Sequence, residues 1–387
     1  MIGDSACNTR LVATVSPERV RDEIVRLSHR GLGVRDFSLA AARILRRAVP
    51  FDGVCVVTMD PATQLLTGHV IENGLPESLT PRLAQIEVVE EDFNKFTDLA
   101  RGNAPAASLS QATAGRLERS IRHRELRRPN GFEDELRAAF ADDSGTWGGI
   151  VLMHEAGRAH FSARDVQLLA AVTRHLTEGL RRAILASALS ADEEQLGVGL
   201  LLLADDDSIA MANDTARSWL AELRDGSGPD ATLPFVIHTV ADRARNIASG
   251  RVNGGATAGA RIRTRAGRWL LVRGSVLGEG DDARAAVMLE AAAAPELAPL
   301  IADSYGLTAR ERAVTRLVAH GRSTTEIGRL LYLSPYTVQD HLKAVFDKVG
   351  VGTRGELVAR LFFDHYAPRL ASGAPVASNG WFAPARR

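Results

Sequence analysis

The sequence contains only two cysteines, Cys7 and Cys55, among its 387 residues. With so few cysteines and no CxxC pair, a disulfide scaffold and a cysteine-based metal or redox motif are excluded. Cys55 stands in the apolar stretch GVCVVTMD, which favours a small core residue over a redox sensor. The ten histidines show no H-x-x-x-H or H-E-x-x-H pattern, so no metal site is predicted.

Long apolar runs are also missing. The longest, residues 197 to 204, is far shorter than the roughly 20 residues that span a bilayer. The first residues lack the basic and then apolar order of a signal peptide. We therefore expect a cytoplasmic protein without a membrane partner.

The chain has no excess of charge of either sign. Lys plus Arg and Asp plus Glu each number 47, which gives a formal net charge of zero. No chain-wide positive field would therefore attract nucleic acid or an anionic membrane surface. Binding to such a partner would need a local surface.

Two motifs of phosphate chemistry are absent. No G-x-x-x-x-G-K-[ST] occurs, so P-loop ATP binding is excluded. LLLLADDD, residues 200 to 207, is similar to the acidic strand end of a receiver domain. A receiver domain needs a phosphorylatable Asp at a later strand end, and residues 251 to 260 contain none.

Length alone predicts two or three domains. Residues 16 to 47 have apolar spacing typical of amphipathic helices, and GVCVVTMD and QLLTGHVI predict paired strands. The polar, Arg-rich stretch 81 to 131 is expected to be irregular. Two further strands follow, and then a long helix that begins with an S-x-x-D cap at Ser162 and Asp165. We predict an α+β domain over residues 18 to 188.

Residues 195 to 290 predict a second α+β domain. It should contain a strand pair, a helix from Asp214 to Leu223, a hairpin that turns at Ala266 and Gly267, and a final strand, ARAAVMLEAA. Residues 291 to 302 are the expected linker to the C-terminal part. Residues 367 to 387 are rich in Ala, Pro, Gly and Ser, which predicts a mostly disordered tail.

Signals for helix starts are dense between residues 303 and 366. Three segments, which begin at Thr308, Ser323 and Thr353, match the S/T-x-x-E capping box, in which a hydroxyl and a carboxylate bind amides left free at a helix start. Ser334 followed by Pro335 predicts a fourth start. We predict an all-α domain of four short helices.

Apolar residues recur at helical spacing in each of these helices. The faces predicted to be buried carry Val314, Leu317 and Val318; Ile327, Leu330 and Leu331; Val338, Leu342, Val345 and Val349; and Leu357, Val358 and Leu361. Gly321 is placed to end the first helix in a left-handed conformation. Only about three residues, 333 to 335, separate the second and third helices, so these must cross sharply, as in a helix-turn-helix.

The stretch LTARERAVTRLVAHGRSTTEIGRLLYLSPYTVQDHLKAVFDKVGVGTRGELVARLF resembles the C-terminal DNA-binding domain of LuxR-type transcription factors. The residues that fit the family pattern are Leu307, Thr308, Arg310, Glu311, Gly321, Ser323, Glu326, Ile327, Leu331, Ser334, Thr337, Val338, His341, Lys348, Arg354, Glu356, Leu357 and Val358. By element order, the first domain resembles a GAF domain and the second a PAS domain. The expected fold is therefore multidomain: GAF-like α+β, PAS-like α+β, and a LuxR-type all-α helix-turn-helix.

The LuxR resemblance implies which residues meet DNA. Residues 324 to 331 would form the scaffold helix, and residues 335 to 349 the recognition helix in the major groove. The residues expected to reach base edges are Gln339, Asp340 and Lys343. Phosphate contacts would come from Thr337, His341, Lys348 and Arg354.

The side chains expected at the bases suit that task. Glutamine can bond adenine bidentately, aspartate can accept from cytosine, and lysine can donate to guanine. Asp340 is the departure, because a carboxylate near phosphates loses energy unless it meets a donor or pairs with Lys343. A helix face of mixed charge is more often only solvated, but the capping boxes, the short turn and the family spacing favour DNA binding here.

Double-stranded DNA is the expected partner. Residues 303 to 366 hold nine Lys or Arg and seven Asp or Glu, a net charge of +2. Because phosphate neutralisation supplies much of the affinity for DNA, one copy should bind modestly, which favours a homodimer on two half-sites. In the resembled family the last helix, here residues 353 to 363, often forms the dimer contact.

RNA polymerase and a small-molecule effector are further candidate partners, and the sequence identifies no cofactor. An acyl-homoserine lactone is not expected as the effector. Its pocket relies on Trp, Tyr and Asp at set spacing, and all the tyrosines here lie in the C-terminal part.

These patterns predict a sequence-specific DNA-binding transcriptional regulator. Two N-terminal sensory or interaction domains would control the C-terminal helix-turn-helix, and no catalytic site is expected. Two alternatives stay open. One is a GAF-like small-molecule enzyme with an accessory helical domain, which would need clustered cysteines or His and Asp ligands. The other is an interaction adaptor, which would have no salt-dependent affinity for DNA.

Overall fold

The computed structural model describes residues 16–143, 145–186, 197–223, 233–252, 256–278, 280–292, 305–319 and 321–363. Two α+β units and a helical C-terminal region lie within these ranges. Most of the predicted linker, residues 291 to 302, and the whole predicted tail, residues 367 to 387, fall outside the described residues. No helix in this described part of the chain is long and apolar enough to cross a membrane.

The first unit is a five-stranded antiparallel sheet with helices on both faces. Its strands are β1 (Gly53–Met59), β2 (Leu66–Glu72), β3 (Ala106–Ser108), β4 (Phe132–Asp142) and β5 (Gly145–Glu155), in the order β2-β1-β5-β4-β3. One face is covered by α1 (Pro17–Ser28), α2 (Val34–Arg46) and the long α6 (Ala163–Ala186). The predicted cap of α6 is confirmed, since the Ser162 N–H donates to Asp165 Oδ2 at 2.8 Å.

The opposite face is covered by the stretch 81 to 131, which we expected to be irregular. That expectation is wrong: the stretch contains α3 (Thr80–Val88), α4 (Phe96–Arg101), β3 and α5 (Leu109–Ala112). Two of its arginines, Arg122 and Arg127, are buried and bind the carboxylate of Glu135 at 2.6 and 2.9 Å. Ion pairs between residues that are distant in sequence therefore help to order this segment. Such pairs leave no periodic pattern of apolar residues in the sequence.

The second unit is another five-stranded antiparallel sheet. Its strands are β6 (Gly199–Leu203), β7 (Ile209–Ala212), β8 (Gly259–Arg263), β9 (Trp269–Leu277) and β10 (Arg284–Ala291), in the order β7-β6-β10-β9-β8. Counted from its own first strand, this is the same order as in the first unit. The helices α7 (Asp214–Leu223) and α8 (Phe235–Ala248) pack with the sheet around the buried Trp219. The predicted bounds of α7 and the hairpin turn at Gly267, with φ +85°, are confirmed.

A buried ion pair joins the two units. Asp60 follows β1, and its Oδ1 and Oδ2 accept hydrogen bonds from Nη2 and Nε of Arg261 in β8, at 2.6 and 2.9 Å. Leu65 of the first unit packs into the core of the second. Thr239 of α8 donates its hydroxyl to the carbonyl oxygen of Leu66 at 2.8 Å. The β1–β2 hairpin therefore contributes to both units.

The C-terminal region is helical. It contains α9 (Ala309–Ala319), α10 (Thr324–Leu331), α11 (Pro335–Val349) and α12 (Arg354–Phe363), and α10 and α11 have the predicted bounds. The capping box of α10 is confirmed, because the Ser323 N–H donates to Glu326 Oε2 at 2.7 Å and the Glu326 N–H donates to Ser323 Oγ at 3.3 Å. Thr308 and Glu311 exchange the same two bonds before α9, at 2.7 and 3.3 Å.

The box before α12 forms only in part. The Glu356 N–H donates to Thr353 Oγ1 at 3.1 Å, but the Glu356 carboxylate accepts from the N–H of Gly352, at 2.7 Å, and not from that of Thr353. At the other end of α9, Gly321 is left-handed as predicted, with φ +74°.

The core of this region contains most of the apolar residues predicted for it. Its fully buried members are Leu307, Val314, Val318, Ile327, Val338, Leu342, Val345, Val349 and Leu357. Leu330 was placed on the buried face, but it is 54% exposed. Ile327 and Leu331, four residues apart, take the inward side of this short helix. The side chain of Leu361 lies outside the described residues.

Candidate nucleic-acid interface

The turn between α10 and α11 fixes how the two helices cross. Tyr332 is left-handed, with φ 55° and ψ 45°, and the N–H of Leu333 donates to the carbonyl of Gly328 at 2.8 Å. A Cβ atom at position 328 would lie 2.7 Å from the Leu333 carbonyl oxygen, so the close approach requires glycine. Ser334 then caps α11, because its Oγ accepts the N–H of Thr337 at 3.0 Å. The second helix therefore begins immediately after the turn.

α11 has one buried face and one exposed face. Its buried residues are Val338, Leu342, Val345 and Val349, spaced four, three and four positions apart. The three residues predicted to reach base edges, Gln339, Asp340 and Lys343, are all exposed. Helical geometry brings them together on one side, because positions three and four apart are neighbours on a helix surface.

These three side chains have no polar partner in the described part of the protein. In the residues that the structure describes, the side chains of Gln339, Asp340 and Lys343 make no hydrogen bond and no ion pair. The pairing considered for Asp340 and Lys343 is therefore not formed here. An amide, a carboxylate and an ammonium group are thus presented together to solvent.

Tyr336 extends the same face and was missed from the sequence. It is 74% exposed and precedes Gln339 and Asp340 by three and four positions, so it lies beside them on α11. Tyr332, at the turn, is 96% exposed. The signal was available, since the spacing from Tyr336 to Gln339 is readable once the helix start at Pro335 is known.

The residues predicted to contact phosphates lie around this face in different environments. The hydroxyl of Thr337 is 2.8 Å from that of Ser334, within the cap of α11. His341 is half-buried. Arg354, the first residue of α12, donates a hydrogen bond from Nη2 to the carbonyl oxygen of Arg322. A phosphate would therefore meet these groups at the start of α11 and at the start of α12.

Lys348, the fourth predicted phosphate contact, already has an anionic partner. Its Nζ lies 2.6 Å from Oε2 of Glu311, and the same oxygen accepts the N–H of Thr308 at 2.7 Å. Burial opposes ionisation of Glu311, but the hydrogen bonds from Lys348 and Thr308 outweigh it and hold the pKa of this carboxyl below its ordinary value. The end of α11 is thereby tied to the start of α9.

Tyr305 connects the helical region with the second unit. It is partly buried and packs both against the core of the helical region and against Leu271 and Ala292 of the second unit. The neighbouring Gly306 has φ +66°, and a Cβ atom there would lie 3.0 Å from Nη2 of Arg181 in α6. The segment before α9 thus touches both N-terminal units.

Comparison with known proteins matches this helical region. The model of the family described as bacterial regulatory proteins, luxR family, matches residues 305–361. A putative HTH-type transcriptional regulator of Mycobacterium bovis is 48% identical over 52 residues, which are 13% of this chain and 6% of that protein. The chain therefore spans only a small part of this mycobacterial relative.

The likeness to solved structures is weaker. The crystal structure of the phycoerythrobilin-bound GAF domain from a cyanobacterial phytochrome is 14% identical, with a TM-score of 0.29, over 44% of this chain and 96% of that one.

The spore germination protein GerE of Bacillus subtilis covers the helical region more fully. It is 38% identical over 55 residues, which are 14% of this chain and 74% of GerE. The family match includes α9, α10 and α11, and with them the exposed face of Gln339, Asp340 and Lys343. Through this C-terminal region, the chain belongs to the luxR family of bacterial regulatory proteins.

Proposed function

We propose that the protein is a sequence-specific DNA-binding transcriptional regulator, with α11 as the recognition helix in the major groove. The observation that carries the proposal is the exposed face of α11. Gln339, Asp340 and Lys343 stand together there without partners among the described residues, while the opposite face is buried. Such a face has unused hydrogen-bonding groups at the spacing from which a helix reads base edges.

The phosphate contacts are assigned to Thr337, His341, Lys348 and Arg354. They surround the reading face at the start of α11, along it, at its end and at the start of α12. The ammonium group of Lys348 would bind phosphate while it remains paired with Glu311, since the Lys348 side chain is 36% exposed. We expect its share of the affinity to be smaller than that of Arg354.

The two α+β units are assigned a sensory role, the first as GAF-like and the second as PAS-like. The support is their common architecture, an antiparallel five-stranded sheet of the same strand order with helices packed on it. Tyr305 supplies the physical link to DNA binding, because it packs against both the second unit and the DNA-binding domain. A signal that favours one arrangement of the units would shift the population of DNA-competent molecules.

A homodimer is the assigned functional state. The small net charge of +2 over residues 303 to 366 supports it, because two copies on adjacent half-sites double the number of neutralised phosphates. Each dimer would then place two copies of the proposed four-helix domain on DNA, one on each half-site. Light scattering of the full chain with and without DNA measures this state directly.

The test of DNA binding uses the full chain and a random-sequence duplex of about three helical turns. We expect the logarithm of the association constant to fall linearly with the logarithm of salt concentration, because phosphate contacts release counterions. An interaction adaptor would show no such salt-dependent affinity. Arg30→Gln is the matched control, since it removes one exposed positive charge from the first unit, and it should leave the salt slope unchanged.

A further inference from the structure

A small cavity lies in the first unit between the sheet and the helix α3. Its volume is about 30 Å³, which is room for one or two water molecules. Most of the wall is apolar, and it includes Val57, Leu66, Phe96, Val151 and Phe235. Four of these belong to the first unit, whereas Phe235 is the first residue of α8 in the second unit. The neighbouring unit therefore contributes one side chain to the wall of the cavity.

Arg137 lines this cavity and carries buried polar atoms without a partner among the described residues. Its side chain is 3% exposed, its Nη2 donates to Glu87 Oε2 at 2.8 Å, and its guanidinium lies 4.0 Å above the ring centroid of Phe96. Its Nε and Nη1 atoms are buried and have no hydrogen-bond partner among the residues that the structure describes. A buried N–H without an acceptor destabilises the folded protein, so an acceptor at this position would be bound favourably.

The charges around Arg137 indicate what kind of acceptor fits. Among the described residues, three buried arginines, Arg122, Arg127 and Arg137, are matched by the three carboxylates Glu87, Asp92 and Glu135. Burial opposes ionisation of Glu135, but the positive charges of Arg122, Arg127 and Arg137 outweigh it and lower its pKa.

Because this network is already neutral, an added carboxylate would be a buried charge without a counter-ion, which is expensive. A neutral carbonyl oxygen supplies the missing acceptor without that cost. The thiol of Cys55, which also lines the cavity, adds no charge, since burial raises its pKa to about 11.

Phe235 occupies the space that a larger molecule would need. It is 6% exposed, and its ring meets His69, another wall residue, edge to face with centroids 5.3 Å apart. The bond from Thr239 to the Leu66 carbonyl holds α8 against the same wall. A ligand with a ring of its own cannot enter beside Phe235 in a cavity of about 30 Å³. Entry of such a ligand and docking of Phe235 are therefore mutually exclusive.

We propose that this cavity binds a small neutral molecule with a carbonyl group next to an apolar or aromatic part. The carbonyl accepts from Arg137, and the apolar part takes the place of Phe235. Binding would thus loosen the contact between α8 and the first unit. Only the further step, from this contact to DNA affinity, rests on the proposed function.

The test measures dissociation constants of three probes for the full chain: benzamide, which has a neutral carbonyl, benzoate, which is charged, and toluene, which has no acceptor. We expect benzamide to bind at least about tenfold more tightly than the other two probes, because a hydrogen bond to one unpaired donor contributes about that much affinity. Phe235→Ala should bind benzamide at least about fivefold more tightly than the natural chain, because nothing has to be displaced. If circular dichroism shows that Phe235→Ala does not fold, Phe235→Leu takes its place in this test.

Arg137→Lys tests the acceptor site, because it keeps a cation beside Glu87 and removes Nε and Nη1. It should abolish the preference for benzamide over toluene. The proposal is overturned if benzoate binds more tightly than benzamide, or if toluene binds as tightly as benzamide. It is also overturned if folded Phe235→Ala binds no probe, or binds benzamide no more tightly than the natural chain does. Benzamide binding without any change in DNA affinity would support the site and contradict the proposed sensory control.

Discussion

Lys348 Nζ lies 2.6 Å from Oε2 of Glu311, so the last turn of α11 is tied to the residue that caps α9. One carboxylate thus accepts a hydrogen bond from a free amide at the start of α9 and neutralises an ammonium group of α11. This contact joins α11 to α9 in addition to the apolar packing between them.

Glu311→Gln is expected to lower the free energy of unfolding by about 1 kcal/mol at pH 7, because the charge-assisted bond to Lys348 is lost while the amide oxygen still accepts from Thr308. The pKa of Glu311 is lower in the folded than in the unfolded state. Its carboxylate therefore contributes stability above the ordinary carboxyl pKa, and that contribution is lost as pH falls through the folded-state pKa.

The difference between the natural chain and Glu311→Gln should therefore shrink between pH 7 and about pH 3. Urea unfolding followed by circular dichroism at both pH values measures it. Asp347→Asn, an exposed carboxylate of the same helix, is the matched control and should shift stability by less than about 0.5 kcal/mol. A difference that widens in acid would contradict the assigned role of Glu311.

Asp60→Asn should destabilise the N-terminal units by about 3–5 kcal/mol, because it leaves the guanidinium of Arg261 buried without its counter-ion. The side chains of Asp60 and Arg261 are only 1% and 9% exposed. We also expect calorimetry to show one unfolding transition for the two units in the natural chain and two separate transitions in Asp60→Asn. Arg158→Ala, in the exposed pair with Asp52, is the control and should cost about 0–1 kcal/mol.

Gly149→Ala is expected to destabilise the first unit by about 1–3 kcal/mol through overpacking. A Cβ atom there would lie 2.2 Å from Cε1 of Phe96, the ring on which Arg137 stacks. Chemical denaturation measures the change. Gly352→Ala, where the nearest atom would be 3.5 Å away, should change stability by less than about 1 kcal/mol. Equal effects of the two substitutions would show that Phe96 does not need this close approach.

Arg354→Gln should weaken binding to all DNA sequences alike and reduce the salt slope by about 1, as expected for one phosphate contact. Lys348→Gln should reduce it by less, because Glu311 already holds part of that charge. Anisotropy titrations of a random duplex over a range of salt concentrations give both slopes. A larger effect at Lys348 than at Arg354 would contradict this ranking.

Much of the local structure was predictable because its causes are local. Caps and left-handed glycines act within one turn of a helix, so the bounds of α7, α10 and α11 follow from the sequence. The third capping box deviates by one residue, since the carboxylate of Glu356 accepts from the N–H of Gly352 in place of that of Thr353. Such a shift depends on the loop conformation, which the motif does not specify.

The stretch 81 to 131 was not predictable in the same way. Its order depends on contacts such as Arg137 with Glu87, 50 positions apart, and Arg122 with Glu135, 13 positions apart. A polar sequence gives no sign of which charges will be buried together. The pairing of Lys348 with Glu311, 37 positions apart, was missed for the same reason.

The central claim is that the exposed face of α11 reads bases. The most direct measurement is selection of bound sequences from a random duplex pool by the full chain, by Gln339→Ala with Lys343→Ala, and by the control Arg30→Gln. We predict that the natural chain and the control enrich the same motif, whereas the double variant loses preference at the positions read by these residues yet keeps salt-dependent affinity. Enrichment of an unchanged motif by the double variant would contradict the assignment of α11 as the recognition helix.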